Sequence, residues 1–180
     1  MSTIIKDCDW IVTQNSSRDV LRNGSVRIED GRIAEIGHLQ GSAEHVIEGS
    51  GKVLLPGLIN THTHLSMTLM RGFADDMRLE EWLETKIWPV ERKLTGEICY
   101  HGALLGCLEM IRTGTTSFMD MYFHLKDVAR AIDVAGLRAI LSHAMIDLFD
   151  SARAETQKQT THESMQFIKS LGNSRIGFAM

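Results

Sequence analysis

Two histidines separated by a single residue are the strongest candidates for chemistry in this sequence. His62 and His64 end the stretch VLLPGLINTHTH, in which a short apolar run, a Pro-Gly turn and a second extended segment follow one another. Side chains two residues apart on a β-strand point to the same face, so we expect the two imidazoles to project side by side. Adjacent neutral imidazoles form half of a binding site for zinc or another divalent transition metal.

The surroundings of the pair are more specific than the pair itself. A His-x-His motif also occurs by chance on exposed strands, so alone it is weak evidence for a metal. Here an apolar strand leads to a polar end, and α/β barrels display their catalytic residues at the C-terminal ends of such strands. The position of His62 and His64 therefore indicates a metal site at one end of a sheet.

The sequence patterns before and after the Pro-Gly turn differ, and they predict different structural elements around the two histidines. Residues 1–55 contain short alternating segments and an Asp-Gly hairpin signal, which predict a small β-sandwich-like domain without chemistry of its own. In residues 56–180 strands alternate with helical patterns, which predicts an α/β fold, either a parallel barrel or a doubly wound sheet.

Periodicity and turn signals give approximate positions for the elements of the second part. Its helices are predicted at 79–88, 95–112, 125–135 and 150–171, and its later strands at 116–122, 138–146 and 175–180. Pro89 is expected to interrupt the first helix, because proline removes a helix hydrogen bond. The second helix is apolar on nearly all sides, so we expect it to be well buried.

The composition is ordinary for a soluble globular protein and gives no reason to expect nucleic acid or a membrane as partner. The 180 residues are 43% hydrophobic and 23% charged, and the net charge of −4 gives no basis for binding nucleic acid or an anionic membrane. No apolar run approaches the roughly 20 residues of a membrane span, and the start lacks a signal peptide's pattern. The three cysteines show no CxxC spacing, which favours a reduced, cytoplasmic setting.

Four blocks resemble one family in order and spacing: PGLINTHTHLSMTLMRGFADD, EEWL, IWPVERKLT and GCLEMIRTGTTSFMDMYF. From about Ile4 to the last residue the chain resembles the amidohydrolase superfamily, and more narrowly its 5-methylthioadenosine/S-adenosylhomocysteine and 5'-deoxyadenosine deaminases. The resemblance implies a metal-dependent (β/α)8 barrel beside the small β domain, with four of the eight β/α units in this chain. It also implies hydrolytic deamination of 5'-substituted adenosines to inosine analogues and ammonia, by a homo-oligomer in the full-length form.

The resemblance assigns His62 and His64 as ligands of one divalent ion, most simply Zn²⁺. A single ion is expected because the fourth strand, in RIGFAM, lacks the lysine that bridges two metals in binuclear relatives. The remaining histidine and aspartate ligands, and the glutamate that transfers the proton, are expected beyond Met180. Catalytic acid and base residues are therefore unassigned, and the 180-residue chain alone is expected to be inactive and to bind metal weakly.

Two further residues are predicted to contact substrate. Glu91 falls on the glutamate of the family's ribose-contacting element, where a carboxylate accepts hydrogen bonds from the 2'- and 3'-hydroxyls. His143, near the end of the third strand, could contact substrate or metal. Many family members carry an arginine there that is associated with the carboxylate of S-adenosylhomocysteine. Histidine lacks the bidentate fork, which favours smaller substituents, as in 5'-deoxyadenosine or methylthioadenosine.

Three other interpretations remain open at this point. Another amidohydrolase, of the guanine deaminase or triazine hydrolase type, would share the histidine pair. A non-catalytic fragment could have an assembly role, because half a barrel exposes apolar faces and sheet edges. The histidines could also serve a binding module without turnover.

Overall fold

The computed structural model describes residues 1–147 and 149–180. The chain divides into two compact units, Met1–Pro56 and Gly57–Met180. Within the described residues, no helix combines the length and the apolarity needed to cross a membrane. Cys8, Cys99 and Cys107 are buried with free thiols; the cytoplasmic setting stays a prediction.

The first unit is a five-stranded sheet. Its strands are β1 (Ser2–Val12), β2 (Val20–Glu29), β3 (Arg32–Gly37), β4 (His45–Glu48) and β5 (Val53–Leu54). The order is β3-β2-β1-β4, and β5 also pairs with β1. Asp30 and Gly31 join β2 to β3 with φ angles of 49° and 75°. Two consecutive positive φ values give the turn whose twist suits an antiparallel hairpin, so the predicted Asp-Gly hairpin is confirmed.

The second unit alternates parallel strands with helices. Its strands are β6 (Leu58–Thr63), β7 (Thr115–Tyr122), β8 (Arg138–His143) and β9 (Ile176–Phe178), and its longer helices are α3 (Gly96–Arg112), α4 (Leu125–Ala135) and α5 (Ser151–Ser170). The strands pair in chain order, β6-β7-β8-β9. A doubly wound sheet reverses its strand order part-way, whereas a barrel does not. The sheet is thus a four-stranded sector of a barrel.

The helical segment before α3 differs from the prediction at Pro89. The segment runs as α1 (Leu79–Trp82), a π-helical stretch (Leu83–Ile87) and α2 (Trp88–Glu91). Pro89 therefore does not end the helical path, which continues to Glu91. Proline is tolerated in the first turn of a helix, and the wider π turn just before it marks the change of hydrogen-bond register.

Helix α3 begins as predicted but is less buried than predicted. The Thr95 hydroxyl accepts a hydrogen bond from the Ile98 N–H at 3.3 Å, which caps the helix. Its large apolar side chains Leu108 and Ile111 are 52% and 50% exposed, so the expectation of all-round burial is wrong. The buried face consists of small residues: Cys99, Gly102, Ala103, Gly106 and Cys107.

These small residues let α3 approach the 3₁₀ helix Leu65–Met70, which follows the histidine pair. A Cβ atom on Gly102 would lie 2.6 Å from the carbonyl oxygen of Ser66. The Ser66 hydroxyl donates to the carbonyl of Cys99 at 2.9 Å. The close backbone contact holds the segment after His64 against the helix layer.

Strand β8 is shorter than the predicted 138–146, because its ladder ends at His143. The next apolar residues, Ala144 and Ile146, line a cleft instead of pairing in the sheet. Apolar character alone does not distinguish a strand residue from a cleft residue. Strand β9 is likewise shorter than predicted.

Candidate functional site

The two histidines lie at the carboxyl end of β6, the first strand of the parallel sheet. Their ring centroids are 5.1 Å apart and the ring planes make an angle of 76°. His62 is the penultimate residue of β6 and is exposed, whereas His64 follows the strand and is half-buried. The rings therefore lie side by side, edge to face, at the strand end.

The hydrogen bond made by His64 fixes the form of its ring. Its Nδ1 lies 2.7 Å from the carbonyl oxygen of Met121, on the neighbouring strand β7. A carbonyl can only accept, so Nδ1 carries the hydrogen. In the neutral ring Nε2 then keeps a lone pair for a ligand. Metal-bound histidines in proteins are commonly oriented by a hydrogen bond of this kind.

A buried carboxylate on β7 supports the backbone next to His64. The Oδ1 atom of Asp120 accepts a hydrogen bond from the Leu65 N–H at 2.6 Å. Asp120 is only 2% exposed, and its Oδ2 atom has no hydrogen-bond partner in the described part of the chain. Burial raises the pKa of this carboxyl group from 3.8 to about 6, against the lowering effects of the Leu65 N–H and of His64.

Glu91 is positioned by the next buried residue on the same strand. The Tyr122 hydroxyl donates to Oε1 of Glu91 at 2.9 Å. Glu91 is half-buried at the end of α2, and Tyr122 is 3% exposed. Burial of the phenol, and after it the charge of Glu91, raise the pKa of Tyr122 above its ordinary value. The phenol is therefore a permanent hydrogen-bond donor at neutral pH.

Two clefts meet at Glu91. The smaller, about 200 Å³, has mainly apolar walls and includes His64 in its lining. The larger, about 650 Å³, contains His143. Five residues line both: Trp88, Glu91, Phe123, Ala144 and Ile146. The clefts are thus contiguous and share a wall that contains Glu91, while His64 lines only the smaller cleft and His143 only the larger.

The predicted substrate contact His143 lies away from the histidine pair. It is half-buried at the end of β8, and its Nε2 is 2.8 Å from Oε1 of Gln157 on α5. An amide oxygen can only accept, so Nε2 donates and Nδ1 is left with the lone pair. His143 shares the larger cleft with Glu91 but does not line the smaller one.

Comparison with known proteins identifies the family. The model of the amidohydrolase family matches residues 53–180. The chain belongs to the amidohydrolase family. Over 162 residues it is 52% identical to a 5'-deoxyadenosine deaminase of Methanothermobacter thermautotrophicus, covering 89% of this chain and 38% of that protein. Over 179 residues it is 46% identical to a 5-methylthioadenosine/S-adenosylhomocysteine deaminase of Thermococcus sibiricus. This match covers 99% of this chain and 42% of that protein.

A solved amidohydrolase-type structure supports the same conclusion about the fold. An adenosine deaminase from Xanthomonas campestris with bound zinc superimposes with a TM-score of 0.87 at 28% identity, over 98% of this chain and 42% of that one. This chain spans about two fifths of the length of the curated relatives it matches. The predicted fold, the first part of an amidohydrolase barrel preceded by a small β domain, is confirmed.

The residues present fit part of a zinc site, and zinc is the metal bound in the Xanthomonas campestris structure. Two imidazoles, one with an Nε2 lone pair left by the hydrogen bond at Nδ1, match the nitrogen ligands that zinc prefers. The unpartnered buried oxygen of Asp120 belongs to the neighbouring strand β7, whose Asp120 also holds the backbone next to His64. Among residues 1–147 and 149–180, however, no three His, Cys, Asp or Glu side chains come together as a metal cluster. The described residues thus supply a half-site.

Asp120 and Tyr122 were missed in the sequence. Both lie in TTSFMDMY, where burial and not polarity alternates: Phe118, Asp120 and Tyr122 are buried, whereas Met119 and Met121 are exposed. A carboxylate and a phenol two residues apart, at the end of a strand beside the histidine strand, were the available signal. It was not used because alternation predicts the two faces of a strand, not which polar residue will be buried.

Proposed function

We propose that this chain carries the first part of a metal-dependent deaminase of 5'-substituted adenosines. The reaction is hydrolytic: water adds at C6 of the adenine ring, ammonia leaves, and the inosine analogue remains. The preferred substrates in this proposal are 5'-deoxyadenosine and 5'-methylthioadenosine. A homo-oligomeric full-length form remains a prediction from the family resemblance.

The observation that carries the proposal is the continuous cleft from His64 to Glu91. A purine placed between the apolar walls of the smaller cleft would present its ribose to the Glu91 carboxylate. Apolar clefts with a few fixed polar groups are typical of small-molecule sites. The names of the relatives that are 46% to 52% identical to this chain support the same substrate class.

His62 and His64 would hold one divalent ion, most simply zinc. When bound, such an ion supplies Lewis-acid activation of water at neutral pH. The chain's own contribution is orientation, because the Met121 carbonyl keeps the His64 ring in one tautomer and one direction. Asp120 fixes the adjoining backbone through the Leu65 N–H. The proton-transferring residue is not assigned to any residue of this chain.

The other residues of the cleft would bind and orient the nucleoside. Trp82 and Trp88 form part of the apolar wall that would exclude water from the purine. Glu91 would accept hydrogen bonds from the ribose hydroxyls, and charged acceptors make stronger bonds than neutral ones. His143 would lie near the 5' substituent, with its Nε2–H committed to Gln157.

The test uses a chimera in which this chain replaces the matched part of the Methanothermobacter relative, which is 52% identical. With zinc added, we expect ammonia release from 5'-deoxyadenosine, loss of that activity in His62→Ala, and weakened substrate binding in Glu91→Gln. Activity on guanine or a triazine in place of adenosines would contradict the proposal. So would full activity in the His62→Ala variant.

The preference for particular 5' substituents is tested by comparing substrates in the same chimera. We expect a higher kcat/KM for 5'-deoxyadenosine than for S-adenosylhomocysteine, because an imidazole cannot form a bidentate pair with a carboxylate. Arg92 and Arg153 also line the larger cleft, so they are the residues to replace if S-adenosylhomocysteine is preferred. That preference would contradict the role proposed for His143.

A further inference from the structure

The carboxyl end of β7 contacts the site through three successive residues. The Asp120 carboxylate accepts from the Leu65 N–H, the Met121 carbonyl accepts from His64, and the Tyr122 hydroxyl donates to Glu91. Residues of a paired strand have little conformational freedom. The second strand therefore holds parts of the site that come from two other segments of the chain.

Tyr122 is well suited to fixing Glu91. Tyr122 is almost fully buried, and its ring packs with that of Phe123 at a centroid distance of 5.1 Å and lies 6.2 Å from that of His64. Glu91, in contrast, ends a helix of only four residues that follows a π-helical stretch. The rigid member of the pair is thus the tyrosine, and the member that needs orientation is the glutamate.

We propose that Tyr122 is a positioning residue that presets the Glu91 carboxylate for a vicinal diol. This inference rests on the proposed function. The Tyr122 hydroxyl uses one lone pair of Oε1, which restrains the carboxylate and leaves Oε2 to a ligand. Because a carboxylate has about four acceptor positions, one buried donor leaves enough for two ribose hydroxyls.

The polarity of this hydrogen bond is also determined. An ionised carboxylate only accepts, so the phenol must donate, and its raised pKa keeps the proton on the tyrosine oxygen. The hydroxyl hydrogen of Tyr122 is therefore not available to the ligand. Its effect on binding would act through Glu91.

The test compares binding of 5'-deoxyadenosine and 2',5'-dideoxyadenosine to the 180-residue chain, measured by ligand-observed NMR. Hydrogen bonds to charged groups are strong enough that we expect wild type to prefer the 2'-hydroxyl compound about tenfold. Tyr122→Phe should reduce this ratio to about threefold, and Glu91→Gln should nearly abolish it. Tyr100→Phe is the matched control, because Tyr100 lies on α3, outside both clefts, and should leave the ratio unchanged.

The outcomes separate the inference from the proposed function. If wild type shows no preference for the 2'-hydroxyl, the assignment of Glu91 to the diol is wrong. If wild type shows the preference and Tyr122→Phe retains it, the positioning role is wrong. Equal weakening of both nucleosides in Tyr122→Phe would also overturn it, because a merely structural role affects both ligands alike.

A second measurement does not require nucleoside binding or a folded Tyr122→Phe variant. Ionisation of the two tyrosines of the chain can be followed by ultraviolet absorbance. In wild type Tyr122 should ionise above the ordinary range of a phenol, because it is buried beside the Glu91 carboxylate. Glu91→Gln removes the negative charge beside Tyr122, so Tyr122 should ionise at lower pH in this variant than in wild type. An unchanged titration would show that Tyr122 and Glu91 do not interact.

Discussion

The carboxyl ends of β6 and β7 lie side by side but have opposite characters. At the end of β6, His62 is exposed and His64 half-buried, and their rings lie side by side. At the end of β7, Asp120 and Tyr122 are 2% and 3% exposed, and their polar atoms are directed at other parts of the protein. One strand supplies candidate ligands, and its neighbour supplies the contacts that orient the site.

This difference follows from what each role requires. A group that binds a metal or substrate must be reachable from the cleft. A group that orients another side chain works best where water does not compete for its hydrogen bonds, so burial strengthens it. A buried polar atom without a hydrogen-bond partner lowers the stability of the fold. Among the described residues, Oδ2 of Asp120 is such an atom. The two strands should therefore respond differently to substitution.

The largest expected effect is on metal binding by the exposed strand. We expect His62→Ala or His64→Ala to lower zinc affinity at least about 100-fold, because even outer partners of metal ligands contribute about 10–100-fold. Competition with a chromophoric chelator measures this in the chimera with the Methanothermobacter relative, which supplies the remaining part of the barrel. His162→Ala, on exposed α5, is the matched control. If the control and both site variants bind zinc equally well, His62 and His64 are not zinc ligands.

Asp120, on the buried end of β7, should instead make the stability of the chain depend on pH. In the metal-free chain Asp120 has a pKa of about 6, against 3.8 in the unfolded reference. Between these values the folded state retains a proton that the unfolded state has released. The free energy of unfolding should therefore fall by about 3 kcal/mol from this group as pH rises from about 4 to about 6.

Urea denaturation of wild type and Asp120→Asn across this range isolates the contribution of Asp120. The asparagine has nearly the same shape but does not titrate, so the difference between the two proteins should change with pH while other groups cancel. A constant difference from low to neutral pH would mean that the Asp120 carboxylate is not desolvated as the structure shows.

A smaller effect should distinguish the hydrogen bond of Asp120 from its charge. Asp120→Ala leaves the Leu65 N–H without its acceptor and should destabilise the metal-free chain by about 1–3 kcal/mol at neutral pH. Asp120→Asn can still accept through its amide oxygen and should be less destabilising than alanine. Denaturant midpoints compare the two. Equal loss in both would show that accepting the Leu65 N–H is not what stabilises the chain at this position.

Exposed and buried residues also differ in how well the sequence predicts their place in the fold and in the candidate site. Period-two and period-3.6 patterns located the alternating strands and helices, and the Thr95 cap and the Asp30–Gly31 turn were correct because they depend on local chemistry. The continuation through Pro89 and the exposure of Leu108 were not predictable, since both depend on which surfaces meet in three dimensions. Burial of Asp120 and Tyr122 was missed for the same reason.

The smallest expected effect concerns the contact between α3 and the segment after His64. Alanine is favoured over glycine in a helix by about 1 kcal/mol, so Gly→Ala is stabilising where space allows. At Gly102 the new Cβ would lie 2.6 Å from the backbone oxygen of Ser66, which cannot move without shifting the turn after His64. At Gly106, one turn later, the nearest atom is Cδ1 of the Leu65 side chain at 2.5 Å, the far end of a rotatable group.

We therefore expect Gly102→Ala to destabilise the chain by about 1–2 kcal/mol after the gain in helix propensity, and Gly106→Ala to have a smaller effect. Thermal or urea unfolding of the two variants measures the difference. Gly102→Ala should also weaken zinc binding, because the backbone it displaces continues from His64. If Gly102→Ala is stabilising and zinc affinity is unchanged, the position of the histidine pair depends on β7 alone and not on α3.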